Sequence, residues 1–114
     1  MFGLYKVLNA ERRGPFSIGG PVWPMPGGDG SPGAWVERAD GGDLYITPCP
    51  TRWMEHPESD AVFEVEAEGV KGDVVTSDEI LARRVRLVRR LSDSEVRAVS
   101  EAWNAEFRRR NGEK

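Results

Sequence analysis

Few side chains in this chain are reactive, and the first pair to consider is Cys49 and His56. A cysteine thiolate activated by a neighbouring imidazole is a recurring catalytic unit. The spacing of the two residues matches no known nucleophile motif, and both neighbours of Cys49 are prolines. A lone cysteine in such a setting is typical of a small buried hydrophobic side chain. Because the chain has one cysteine and one histidine, we expect no internal disulfide and no conventional zinc site. No residue pattern indicates another metal or a cofactor, so we expect none.

A row of carboxylates at Glu64, Glu66 and Glu68 is the second candidate for chemistry. From 62 to 68 these acids alternate with apolar residues, which is typical of a β-strand with one face in the core. Acids two positions apart on a strand stand about 7 Å apart, a spacing that suits acid and base roles or a hard cation. The interpretation that we favour is a solvated row or a row paired with arginines.

Arginines between 83 and 90 suggest nucleic-acid binding, with Arg84, Arg86 and Arg90 as the phosphate contacts. The chain has a net charge of −3, however, with 14 acidic and 6 basic residues up to position 79 and 5 acidic and 10 basic residues after it. If 82–91 is a strand antiparallel to 62–69, its arginines lie opposite the glutamates, and each pair contributes roughly 0.2 to 1 kcal/mol. We therefore predict charge pairing and do not expect nucleic acid as a partner.

The segment from 14 to 33 is a long loop, because twelve of its twenty residues are glycine or proline. Loops of this length are usually functional or disordered. Its proline-rich part would present Trp23 and Met25 on a stiff, extended backbone, which lowers the entropic cost of binding. The alternative for Trp23, as for Trp35 and Trp53, is burial in a satellite of the core. The residues expected to contact a partner protein are Trp23, Met25, Glu64, Glu66 and Glu68.

The elements that must position these residues are short strands and one helix. We predict strands at 4–8 and 62–69, a hairpin at 35–39 and 44–47, and a short helical segment at 51–56 that begins with Thr51. The segment 80–91 also fits a helix, since Thr76 and Glu79 resemble a capping box. A strand at 82–91 explains both charge rows, so we prefer it.

The clearest element is a helix over 93–110. Ser92 and Glu95 fit a capping box, an apolar stripe follows at steps of three and four residues, arginines occupy the last turn, and Gly112 is placed to end the helix. The predicted fold class is α+β, with a small, mainly antiparallel sheet covered by this C-terminal helix in a single domain over 1–114. With no leader pattern and no apolar run of about 20 residues, we expect a soluble, cytoplasmic protein without a membrane partner.

Segments 4–8, 44–49, 62–69 and 80–91 together resemble a family of uncharacterised small proteins of phages and bacteria. In that family a lysine-containing first strand precedes a cysteine followed closely by glycine and histidine, then an acidic strand that ends in glycine, then a basic strand. Cys49 is present here, but His56 comes later than the family histidine. The resemblance implies a phage-type accessory or inhibitor protein.

The order Leu-Tyr-x-Thr-Pro at 44–48, a short helix and the acidic strand is similar to the NAD-binding core of ADP-ribosyltransferase-type folds. The residues that this resemblance implies are Tyr45 and Thr47 beside the nicotinamide, Glu64 or Glu66 as the catalytic acid, and Lys6 in place of the usual first-strand Arg or His.

Taken together, the residues favour a non-enzymatic protein-interaction module that binds the surface of a host protein. An NAD-binding transferase is the alternative, and nucleic-acid binding through 83–90 is the second alternative.

Overall fold

The computed structural model describes residues 3–13, 22–55, 59–74 and 76–110. The elements in chain order are β1 (Tyr5–Asn9), β2 (Leu44–Ile46), α1 (Pro50–Trp53), β3 (Ser59–Glu68), β4 (Ile80–Ala82), β5 (Arg84–Arg90) and α2 (Asp93–Arg110). The predicted α+β class is therefore confirmed. The segment 80–91 is extended rather than helical, as predicted, but the single strand expected at 82–91 is β5 alone, and the separate strand β4 before Arg83 was not predicted. His56, Gly112 and positions 14–21 of the predicted loop lie outside the described residues.

All strand pairs are antiparallel and form two hydrogen-bonded groups. The first has the order β1, β3, β5, and the second consists of β2 and β4. The groups are joined twice, because β4 continues into β5 through Arg83 and because Tyr5 of β1 bridges to Thr47 directly after β2. The spatial order of the strands is therefore β1, β3, β5, β4, β2 and then β1 again.

The predicted hairpin between 35–39 and 44–47 is wrong. Val36 bridges to Val85 of β5, whereas β2 pairs with β4. The turn between these segments is closed by its own side chain, since Asp40 accepts hydrogen bonds from Arg38 Nε at 3.0 Å and from the Gly42 N–H at 2.9 Å. The two segments therefore leave the turn towards different strands.

The main core lies inside this arrangement of strands. Alternate residues of each strand point inward, as the period-two pattern requires. The buried side chains of this core are Leu8, Trp23, Val36, Leu44, Ile46, Ala61, Phe63, Val65, Ile80, Ala82, Val85 and Leu87. The loop residue Trp23 is thus part of the core.

Helix α2 covers the outer face of β1 and β3. Its start is the predicted capping box, in which Glu95 accepts the Ser92 N–H at 2.9 Å and Ser92 Oγ accepts the Glu95 N–H at 3.2 Å. Its apolar stripe packs in a second buried cluster that contains Tyr5, Val7, Val62, Leu91 and Val96.

Helix α1 contacts β1 and α2 and is hydrogen-bonded to α2. The Thr51 N–H donates to Ser100 Oγ at 3.2 Å. The residue before the first turn is Cys49, with Pro50 as the first helical residue, so the prediction that Thr51 begins the helix is wrong. Within the described ranges, no helix is long and apolar enough to cross a membrane.

Candidate functional site

The two predicted charge rows meet on the outer face of β3 and β5. Arg86 lies 2.6 Å from Glu66, Arg89 lies 3.1 Å from Glu64, and Arg84 lies 3.4 Å from Glu68. We call these six residues the Arg–Glu ladder. Charge pairing across these strands is confirmed, and the ladder satisfies its own charges rather than presenting an unbalanced surface.

The ladder differs from the prediction at one end. A register irregularity between Glu64 and Val65 places Arg89 opposite Glu64, where an unbroken register would place Val88, and it places Arg90 opposite Phe63. Arg89 also lies 2.9 Å from Glu95, so it ties β5 to the start of α2. The bond from the Ser92 N–H, followed by that from Arg89, lowers the pKa of Glu95.

The ring of Trp35 packs against two arginines of the ladder, Arg84 and Arg86. The guanidinium groups of Arg84 and Arg86 lie 4.3 and 4.6 Å from the centre of its ring, within cation–π range. The Arg84 Nε atom is buried without a hydrogen-bond acceptor among the described residues, and the ring face is its electrostatic partner. Two of the three arginines proposed for nucleic acid are thus engaged within the fold, while Arg90 is exposed.

The two loop residues proposed as partner contacts, Trp23 and Met25, pack against the core rather than standing on the surface. Trp23 is only 1 % exposed and belongs to the core, and Met25 is partly buried against the same core. Trp23 is therefore not displayed as a surface anchor, in contrast to the expectation from the proline-rich sequence. Its large apolar area is what drives its burial.

Lys6 is a buried cation in the same region. Its ammonium donates a hydrogen bond to the Tyr45 carbonyl oxygen at 3.0 Å and lies 5.4 Å from the centre of the Trp23 ring. Burial lowers the pKa of Lys6 from 10.5 to about 8. Lys6 thus links β1 to β2 by a side-chain bond.

The residues implied by the transferase resemblance do not form one open cleft. Thr47 is 1 % exposed and its hydroxyl accepts the Cys49 N–H at 3.0 Å. Tyr45 faces outward from β2. Glu64 and Glu66 lie on β3, which is separated from β2 by β1, and they are paired with arginines of β5. Lys6 is buried, so a dinucleotide has no access to its amine.

Cys49 is fully buried between α1 and α2. Its Sγ lies 3.8 Å from the Ser100 carbonyl oxygen and 3.9 Å from Asn104 Oδ1. This agrees with the sequence interpretation of a small buried side chain rather than an accessible nucleophile.

An aromatic surface lies on the outer face of β2 and β4. Tyr45 is 40 % exposed, its ring centre is 6.2 Å from that of Trp53, and the planes are inclined by 43°. Tyr45 pairs across the strands with Leu81, which is half-buried. We call Tyr45, Trp53 and Leu81 the Tyr45–Trp53 patch.

The side chains around this patch are mostly charged. Lys71 binds Asp43 at 2.9 Å, and the Trp53 Nε1–H donates to the Asp78 carbonyl oxygen at 3.0 Å. Asp78 and Glu79 come directly before β4. The patch is thus a small aromatic and aliphatic surface with acids at its border.

No protein-family model matches the chain, and searches of curated proteins and of solved structures found no match. In the part of the chain that the structure describes, no group of three or more His, Cys, Asp or Glu side chains is placed to hold a metal ion.

The sequence reasoning missed Leu81 and assigned Tyr45 to a nucleotide pocket. The available signal was the alternation of Leu44, Tyr45 and Ile46, which places the tyrosine on the face opposite the core. A strand of three residues is too short for this signal to stand out.

Proposed function

We propose that this chain is a non-enzymatic protein-interaction module, an accessory or inhibitor protein that acts by occupying the surface of another protein. The observation that carries the proposal is the Tyr45–Trp53 patch, in which Tyr45 is exposed and Trp53 and Leu81 are half-buried. Tyrosine and tryptophan are enriched at protein interfaces and dominate their binding energy, since they bury a large area with few rotatable bonds.

The engagement of the reactive side chains supports this proposal over the transferase alternative. Lys6 and Cys49 are buried, and Glu64 and Glu66 are held by arginines. Catalytic groups need access to a substrate and freedom to change protonation state. The patch, by contrast, needs no rearrangement before another surface can pack on it.

Affinity capture with a matched pair of variants tests the proposal. The wild-type chain, Tyr45→Asp and Val22→Asp would each be used to capture proteins from a lysate of the source organism. Val22 is the control because it is an exposed apolar residue, 50 % exposed, in the proline-rich loop. We expect a stoichiometric partner that Val22→Asp retains and that Tyr45→Asp binds at least about tenfold more weakly, since a charge at an interface centre is poorly tolerated.

One result would contradict the patch as the contact surface, and a second would contradict the proposed function itself. Retention of the partner by Tyr45→Asp together with its loss in Val22→Asp would move the contact to the loop that the sequence suggested. Saturable binding of NAD that depends on Glu64 or Glu66 would support the transferase alternative. Circular dichroism of all three proteins checks that each variant is folded.

A further inference from the structure

We infer that the Tyr45–Trp53 patch recognises a basic segment of the partner protein, with an arginine or lysine side chain placed against the Tyr45 ring. This inference rests on the proposed function and names the chemistry of the partner. The ring of Tyr45 is the docking surface, Trp53 forms the wall beside it, and the acids at the border select the positive charge.

The geometry of the two rings suits a cation. The ring centres lie 6.2 Å apart with planes inclined by 43°, and Tyr45 is 40 % exposed. A guanidinium or ammonium group is attracted to an accessible ring face within about 6 Å of its centre. The bond from Trp53 Nε1–H to the Asp78 carbonyl oxygen holds the wall in place. Among the described residues, no cation of the chain itself lies over the Tyr45 ring, although two lie over Trp35.

The charges around the patch favour a positive partner. The cations nearby are already engaged, because Lys71 is bonded to Asp43, Arg38 to Asp40, and Arg52 is stacked on Trp103 and bonded to Asn104. Within the described ranges, Glu55 and Glu79 have no ion-pair partner, and Asp78 has only Arg52, at 3.5 Å. Lys6 is a further cation here, but its ammonium is buried and bonded to the Tyr45 carbonyl oxygen. The exposed charge at the border that has no ion-pair partner among the described residues is therefore negative, which complements a basic segment and raises its rate of association.

The backbone near Tyr45 excludes recognition by strand addition. One edge of β2 pairs with β4. The other edge faces β1, where Thr47 bridges to Tyr5 and the Tyr45 carbonyl oxygen accepts a hydrogen bond from Lys6. An incoming chain therefore has no free strand edge here. Recognition falls to the side chains, which is consistent with one cationic anchor on an aromatic face.

The test uses a defined peptide and the chain of 114 residues. The probe is acetyl-Gly-Arg-Leu-Arg-Gly-amide, and its control replaces both arginines by citrulline, which keeps the shape and removes the charge. NMR titration to a few millimolar, about the range of weak peptide binding, follows the resonances of Tyr45, Trp53 and Leu81. We expect the arginine peptide to shift these resonances with saturation, and the citrulline peptide to bind about tenfold more weakly or not at all.

Variants separate the ring from the charge. Tyr45→Phe keeps an aromatic face and should retain binding, whereas Tyr45→Leu keeps apolar volume and should weaken it by about tenfold. Glu79→Gln should weaken binding several-fold at low salt, whereas Glu101→Gln, an exposed acid on α2, should leave it unchanged. A second readout is photo-crosslinking from position 45 in the lysate, where the crosslinked partner peptide should contain Arg or Lys.

Several outcomes would overturn the inference. These are equal binding of both peptides, no shift at the patch, or shifts at the Arg–Glu ladder instead. Shifts of Tyr45 that depend on protein concentration without peptide would identify a second copy of the chain as the occupant. A crosslinked partner segment without basic residues would refute the basic-segment inference while the proposed function stands, so the two failures are distinguishable.

Discussion

The outer surface of the sheet contains two aromatic regions that differ in how they are used. Trp35 is covered by Arg84 and Arg86, which are in turn paired with Glu68 and Glu66. Tyr45 stands beside Trp53 with 40 % of its surface exposed. The first region satisfies its own charges and ring faces, and the second leaves an aromatic face open.

This difference shows why abundant charge is a poor guide to a binding surface. A row of charged residues that is paired with a row on the next strand contributes little free energy to binding an external ligand, because the ligand must displace existing ion pairs. An exposed ring that lacks an internal cation gains the whole interaction on binding. In this chain the binding candidate is therefore the surface with fewer charged residues at its centre.

The strongest way to sharpen the comparison is to truncate a buried and an exposed aromatic side chain in parallel. Trp23→Ala should lower the free energy of unfolding by about 3 to 5 kcal/mol, since it leaves a cavity in the core. Tyr45→Ala should lower it by only about 1 kcal/mol, because the ring is 40 % exposed and contacts Trp53. Urea denaturation of both variants measures the difference, and a small loss for Trp23→Ala would restore that residue as a surface contact.

The features that could be predicted from sequence are those carried by local patterns. The acidic strand alternates over seven residues, and Ser92 and Glu95 lie within one helical turn, so both predictions are confirmed. The position of Trp23 could not be predicted, because a glycine- and proline-rich loop has no period that assigns a side chain to the core. The partner of β2 depends on long-range pairing, which no local pattern contains.

The next largest effect is expected at Lys6, whose ammonium is bonded to the Tyr45 carbonyl oxygen and lies against the Trp23 ring. Because burial lowers its pKa from 10.5 to about 8, keeping the ammonium inside the folded protein costs about 3 kcal/mol below pH 8. Lys6→Met removes this cost but also the hydrogen bond to Tyr45, which is worth about 1 kcal/mol. We expect Lys6→Met to raise the free energy of unfolding by about 2 kcal/mol at neutral pH.

The lowered pKa of Lys6 also predicts how the free energy of unfolding changes with pH. Between pH 8 and pH 10.5 the unfolded chain holds the Lys6 proton and the folded chain releases it, so wild-type stability should rise with pH. Burial raises the pKa of Tyr5 above 10.0, so stability falls again as pH increases beyond that value. The rise between pH 8 and 10 should disappear in Lys6→Met, and its persistence there would show that Lys6 is not the group responsible.

A smaller effect is expected at Trp35, the ring that is covered by Arg84 and Arg86. Trp35→Leu keeps an apolar side chain but removes the ring face beneath Arg84 and Arg86. Because the Arg84 Nε atom then has neither an acceptor nor a ring beside it, we expect a loss of about 1 kcal/mol in the free energy of unfolding. Thermal unfolding compared with Tyr45→Leu, which should change little, measures it. Equal losses would mean that the two rings play the same structural part.

The smallest effect tests whether the Arg–Glu ladder is closed to partners. A double-mutant cycle with Glu66→Gln and Arg86→Gln should give a coupling of about 0.5 kcal/mol, because the pair is exposed, and the coupling should shrink in 1 M salt. The cycle of Arg86→Gln with Glu101→Gln should show no coupling. If the first cycle also shows none while Glu66→Gln weakens partner binding, the ladder acids are used for recognition. The distinction between the two regions would then fail.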